Sequence, residues 1–480
     1  MWTEFGNRLG HLPPSQRSHF EDNHPFPHPV QSRHYAEIIT VTEPGTITQD
    51  GPTSAVIDAP EGPFISTTAT PGSLALVQQF VGDTPTPITD LFSAPELLRW
   101  SEEDSGIRTV LSCIGNVYAT RGLQLATVQK SDVLLMEVEQ REIYDNIQKR
   151  LQQPSPHLDK SLLHLAVFFC LLQACTGTMM SSRGSKAILR ALEVLDQVAH
   201  LVVQPRGARG FSTRVDKSVL LLFRVLEGLG CLMRDSRSVF TEAQWHKTVV
   251  DFKKLKSEVT PVDAHVALLF ECHCTFLAAF TDINAQSNTW LNRESEYGAV
   301  PGSRNDAEPS YANHLAVGQK IIQQASELLE SLQELEDDVK DIKSSYDTSY
   351  DMFMSTSLNF KISALRLFAH PLWQNASVSK QALHESDILE YAHSNLEHIE
   401  KRMPHAGVEA FIYIDQLLVI GLEMRHSLDR LRVISLLDTI KSRGFGLAEV
   451  YIEDLQLAWK AVPSSRSSTA SGLNAGPSPQ

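Results

Sequence analysis

From residue 107 onward, apolar positions recur at the three- and four-residue steps of a helix face, and no stretch keeps the two-residue alternation of a half-buried strand. The pattern predicts helices over 107–125, 133–151, 158–176, 185–203, 215–233, 241–257, 262–280, 311–343, 350–368 and 380–400. Three more fill 411–459. Residues 411–424 are apolar nearly all round, with Asp415 and Glu423 as the only charges, as expected of a helix enclosed by other helices. After the polar break Arg425-His426-Ser427, Val433, Leu436, Leu437 and Ile440 keep one buried face, while Arg432, Ser435, Asp438 and Lys441 fall opposite. The break Gly444-Phe445-Gly446 offers the positive φ that a helix C-terminus commonly needs. Ala448, Tyr451, Ile452, Leu455, Ala458 and Trp459 then form the stripe of a last helix.

These elements predict an all-α fold, an irregular multi-helix array rather than a solenoid, because no fixed period repeats along the chain. Residues 286–310 hold Gly298, Pro301, Gly302 and Pro309 among polar side chains and read as a surface loop or a seam between two halves. Residues 1–95 are rich in Pro, Thr, Ser and Gly and lack sustained apolar periodicity, so they are expected to be largely disordered. Short apolar pieces at 74–77 and 97–100 are candidates to dock onto the folded body. The expected organisation is a disordered segment 1–95, a helical domain 96–463 and a low-complexity, disordered tail 464–480.

Composition narrows the function classes. The 480 residues carry a net charge of -15, which argues against a broad nucleic-acid surface, since affinity for phosphates comes from clustered Lys and Arg. Direct nucleic-acid contact is not expected. The six cysteines, from Cys113 to Cys274, are scattered through helical patterns instead of forming a disulfide framework, which favours a reducing compartment. The first residues lack the apolar core of a secretory signal. Residues 162–180 contain no Asp, Glu, Lys or Arg over about the length of a bilayer span. His164, Gln173, Thr176, Gly177 and Thr178, among many similar amphipathic neighbours, favour a central core helix there, and no membrane association is expected.

Candidate chemistry is sparse. Cys272-His273-Cys274 with His265 offers soft metal ligands, yet on a helix Cys272 and Cys274 point to different faces. His24 and His28 are spaced for a metal on a helix that Pro25, Pro27 and Pro29 forbid. No phosphate loop, nucleophile elbow or zinc-protease helix is present, so neither enzyme activity nor a cofactor or metal is expected. Ile321, Ala325, Leu328, Leu332, Leu335, Val339 and Ile342 alternate at steps of four and three, which fits either a homodimerising coiled coil or a long core helix.

One pattern carries a family likeness. Gly421-x-Glu423, Asp429-Arg430, Arg443-Gly444 and Trp459, in that order, resemble the end of the fungal-specific transcription factor domain. Residues 215–233, 355–368 and 392–403 are similar to earlier helices of the same family. The resemblance implies a helical regulatory region with no established catalytic activity, which in this family usually lies downstream of a zinc binuclear cluster. Such a cluster needs six closely spaced cysteines; here the first cysteine is Cys113 and the motif is missing. Three accounts fit: a regulator acting through a DNA-binding partner, a chain whose cluster is encoded by an upstream exon, or a paralogue with another role. The expected protein is the first, a nuclear transcriptional regulator that works through protein partners on a pathway gene set such as secondary metabolism. The alternatives are a cytoplasmic helical scaffold, and a helical enzyme or ligand-binding protein with a pocket between its helices. Gly421 is read as permitting close packing. Glu423 needs a cation when buried, and Arg430 is its expected partner.

Overall fold

The computed structural model describes residues 71–81, 88–120, 130–176, 184–242, 244–245, 262–299, 309–340, 347–379 and 385–461. Among these residues every regular element is a helix, so the fold is all-α. The expected disorder of 1–70 and 464–480, and most of the helix expected over 241–257, lie outside the described residues. The first half comprises α1 (Pro71–Val81), α2 (Ala94–Glu103), α3 (Ser105–Thr120), α4 (Lys130–Leu151), α5 (Lys160–Thr176), α6 (Gly184–Val198) and α7 (Arg214–Met233). The second comprises α8 (Val262–Ala299), α9 (Pro309–Lys340), α10 (Asp347–Phe368), the single turn α11 (Pro371–Asn375), α12 (Glu385–Arg402), α13 (Tyr413–Glu423), α14 (Ser427–Ser442) and α15 (Leu447–Ala461).

The uncharged run in 162–176 is the centre of the first half. Leu162 to Gln173 are buried on every side of α5, which packs against α3, α4, α6 and α7 and touches α15. A helix enclosed in this way needs no polar face, which is why it reads like a membrane span in isolation. No described helix is long and apolar enough to cross a membrane. α7 begins with a capping box, Thr213 Oγ1 accepting from the Asp216 amide (3.0 Å) and the Asp216 carboxylate accepting from the Thr213 amide (3.3 Å), which satisfies donors that a helix start leaves open.

The structure refines the sequence reading in three places. The folded body begins before residue 96: Val77, Phe80 and Val81 on α1, and Ile88, Leu91 and Phe92 after it, are buried in the main core. The piece at 74–77 docks as expected, and the one at 88–92 docks with it, their apolar side chains packing against α3 and α7. Second, α8 does not end at 280 but runs 38 residues to Ala299, so much of the expected loop 286–310 is helical. Several of its polar residues find partners inside the protein. Trp290 Nε1 donates to the His314 carbonyl (2.8 Å), and buried Glu294 accepts from the Tyr311 hydroxyl (3.3 Å) and pairs with His314 Nε2 (3.2 Å). The Trp290 ring stacks between those of Trp373 (3.8 Å between centroids) and His314 (4.5 Å).

Third, the four-three seam of α9 is occupied within the chain. Ile321, Ala325 and Leu332 are buried and Leu328 and Leu335 partly so, in clusters shared with α8, α10 and Trp373. The Val339 side chain and Ile342 lie outside the described residues. Glu336, which lies off the seam, is itself buried, where it accepts from Lys361 Nζ (2.6 Å) and Ser357. Leu332→Ala is therefore expected to lower stability by about 2–5 kcal/mol, the range for a truncated core leucine. The denaturation midpoint of the variant should not move when protein concentration changes over about a hundredfold range, as it would for a dimer contact.

Candidate functional site

The motif residues converge on the closing trio α13–α15, where their contacts are architectural. A Cβ at Gly421 would stand 2.7 Å from a Leu455 methyl and 3.3 Å from Val433, so the missing side chain lets α13 approach α15 and α14. Trp459 Nε1 on α15 donates to the Gly421 carbonyl (2.8 Å). The Arg430 guanidinium lies 5.0 Å from the centre of the Trp459 ring, and its Nε donates to the Met424 carbonyl (3.0 Å). Asp429 accepts from Arg432 (3.2 Å), whose guanidinium also grips Glu400 on α12 through two bonds of 2.8 and 2.7 Å. Arg443 donates to the Met403 carbonyl beyond α12, and Gly444 takes φ +107° as the chain leaves α14.

Glu423 is not paired with Arg430. Its carboxylate receives Nε of Arg366 (3.1 Å) and the neighbouring Nη2, a bidentate pair between α13 and α10 with both side chains less than a tenth exposed. Spacing along the sequence favoured Arg430, seven residues away. The chain breaks between α13 and α14, however, so helical periodicity does not carry across, and the cation comes from a helix 57 positions upstream.

That upstream helix is the part of the architecture least visible in sequence. α10 is buried from Tyr350 to Ala364, yet it carries Asp351, Ser355, Thr356, Ser357, Asn359, Lys361 and Ser363 in its interior run. Ser355 Oγ sits between the amide oxygens of Asn395 (2.5 Å) and Gln416, while Asn395 donates back to the Ser355 carbonyl (3.1 Å). Gln416 Nε2 donates to Thr356 Oγ1 (3.2 Å), which also meets His273 Nδ1 at 3.0 Å. One polar chain thus crosses α8, α10, α12 and α13. The signal available beforehand was the frequency of Ser, Thr and Asn in residues 350–363 of an otherwise strong helix.

The cysteine and histidine run on α8 diverges as its spacing implied. Cys274 Sγ faces the Leu221 carbonyl (3.8 Å), His273 faces Thr356, and Cys272 packs at the margin of the α8–α10 cluster. Burial raises both thiols to about 12 and lowers His273 to about 4, so all three stay uncharged at neutral pH. The His265 side chain, His24 and His28 lie outside what is described.

A cavity of about 80 Å³ opens between α5, α6, α7, α13 and α15. Its wall is almost wholly apolar, from Ile188 and Leu195 on α6 to Leu226 and Met233 on α7. Into this wall are set Cys170, Gln173, Asp415 and Tyr451. The Tyr451 hydroxyl donates to Asp415 Oδ1. Desolvation raises the Asp415 carboxyl to about 6, and the bond from Tyr451 opposes that rise; Asp415 keeps partial exposure because it borders the cavity. Desolvation and the adjacent Asp415 push Tyr451 well above its ordinary value, so it remains a donor. None of the motif residues lines this cavity. Sequence offered one pointer to it, the isolated Asp415 in an apolar helix.

Two outcomes test these assignments. Glu423→Gln leaves the buried Arg366 without its counter-charge and should cost about 3–5 kcal/mol. Arg430→Ala, losing a cation–π contact and one hydrogen bond, should cost only about 1–3 kcal/mol in the same urea titration. The second concerns pH. Asp454 is buried on α15, and desolvation followed by the charge of Glu453 raises it to about 8. A carboxyl raised on folding holds a proton that the unfolded chain has released, so native stability declines as pH climbs from about 4 to 8. His164, His273 and His370, each lowered to about 4 chiefly by desolvation, act on the other side and cost stability as pH drops from about 6.5 to 4. Asp454→Asn should therefore gain on the wild type between pH 5 and pH 8, read as a widening gap in urea midpoint; a constant gap would remove Asp454 from the account.

Comparison with known proteins adds no relative: no family model, no curated protein and no solved structure matches the chain.

Proposed function

We propose that the chain is a transcriptional regulator of fungal type, a helical regulatory domain that acts through protein association and borrows its DNA address from a partner. The observation that supports this most is that the residues carrying the resemblance form one architectural knot. Gly421, Arg430 and Trp459 join α13, α14 and α15 to one another, while Glu423 ties the trio to α10, and Asp429 through Arg432 and Arg443 directly tie it to α12 and its exit. A chance scatter of common residue types has no reason to fall on a single set of mutually dependent contacts. The net charge of -15 agrees with an address supplied by another protein. In this reading the protein works in the nucleus on a pathway-specific gene set and has no catalytic role.

The test is a reporter assay with the full chain fused to an unrelated DNA-binding domain in a fungal host. Transcription from the tethered site should change several-fold in either direction, and a fluorescent fusion of the untethered chain should accumulate in the nucleus. An unchanged reporter at equal expression, with the fluorescent fusion held in the cytoplasm, would favour the scaffold alternative. Salt-resistant, sequence-specific DNA binding by the purified chain alone would overturn the dependence on a partner.

A second reading, a ligand-binding protein with its pocket between helices, draws on the cavity at Asp415. The two readings are compatible.

A further inference from the structure

We infer that the cavity between α5, α6, α7, α13 and α15 is a binding site for the ammonium end of a small aliphatic amine, held by Asp415. This names a ligand class for the second reading above and rests on it.

Few polar groups border the cavity. Asp415 is one of them, and it uses Oδ1 to accept from Tyr451, which leaves Oδ2 for a further donor. Gln173 donates Nε2 to Gln140 Oε1 at 3.3 Å, and its own Oε1 is buried without a hydrogen-bond partner. That oxygen has no accessible surface, so a molecule in the cavity does not reach it. The Cys170 thiol, the remaining polar group besides Tyr451, points to the Ala191 carbonyl (3.8 Å). What remains for a ligand is therefore an acceptor, the second carboxylate oxygen of Asp415.

A complementary ligand must bring donors and positive charge. An alkylammonium carries three donors and a full charge, an alcohol only one donor, and a carboxylate none, with repulsion from Asp415 added. The apolar wall takes the hydrocarbon part. At about 30 Å³ per water-sized group, the enclosed volume holds the ammonium and about two methylenes, and a longer chain continues toward the open side. Lining side chains that titrate are Cys170 on α5, Asp415 on α13 and Tyr451 on α15; α6 and α7 contribute none to the wall, and Asp454 stands beyond Tyr451. Cys170 and Tyr451 are raised by burial and stay neutral, so Asp415, at about 6, is the cavity group that changes charge between pH 5 and pH 7.5. Ammonium binding should strengthen as pH rises through that window.

The experiment is calorimetric titration of the full chain with n-butylammonium, n-butanol and n-butyrate. Butylammonium is expected to bind at least about tenfold more tightly than the other two, and to lose about tenfold in affinity from pH 7.5 to pH 5 as Asp415 takes up its proton. Asp415→Asn removes a costly buried charge while keeping the shape, so it should fold with an unchanged or higher melting temperature, yet lose both the preference for the cation and the pH dependence. Ala174→Phe, which fills the cavity from α5, should abolish binding of all three. Equal affinity for butylammonium and butanol, or equal affinity in wild type and Asp415→Asn, would overturn the amine assignment and leave the pocket as an apolar site. Binding that survives Ala174→Phe, or no binding of any of the three, would overturn the pocket itself.

Discussion

The burial of α10 is the constraint on which the second half of the protein depends. A helix closed off from water along most of its length cannot leave its hydroxyls, amides and charges unpaired without a cost of about 1–3 kcal/mol for each neutral group. Every neighbouring helix is accordingly held at the position where it supplies a partner: α8 through His273, α9 through Glu336, α12 through Asn395 and α13 through Gln416 and Glu423. Apolar packing alone would tolerate a helix sliding by a turn. These polar partners do not, because a shift of one turn breaks several of them together.

Charge pairing follows the same logic. Arg366–Glu423, Lys361–Glu336 and Arg402–Glu409 are ion pairs withdrawn from water, and each pays for desolvation out of its own geometry. Such pairs add little net stability compared with an apolar replacement, but breaking one is expensive. Their effect is selective: they penalise misregistered arrangements of a largely apolar array more than they reward the right one. The α13–α15 knot lies at the end of this system, and Glu423 is the joint between the two. The Asp415 cavity lies where α13 and α15 meet α5, α6 and α7, and the carboxylate that borders it keeps one oxygen for a further donor.

The sequence disclosed the fold where one helix face could be read in isolation. α7 and the α14 stripe of Val433, Leu436, Leu437 and Ile440 were legible because their apolar positions repeat at the helical period, and α5 and α13 because an apolar run of that length reads as an enclosed helix. The second half of α8 was not, because Asn288 and Glu294 look like loop residues until their partners on other elements are known. Arg366 as the partner of Glu423 was hidden for the same reason, since a pairing across 57 positions leaves no trace in local spacing. In the cavity, Asp415 stood out as a lone charge in an apolar helix, while Tyr451 and Gln173 looked like ordinary stripe and core residues. Pattern reveals what a side chain turns away from more readily than what it turns toward.

The cysteines carry a further consequence. All six are free thiols, five of them fully enclosed, and they are distributed through α3, α5, α7 and α8 with no two forming a bridge. A thiol held in its neutral form and shielded by packing reacts with an alkylating reagent only after its surroundings open. The chain therefore contains its own set of opening reporters, placed on both sides of the junction between its halves. The order in which Cys113, Cys170, Cys231 and Cys274 become reactive would give the sequence in which the array comes apart, without an added label.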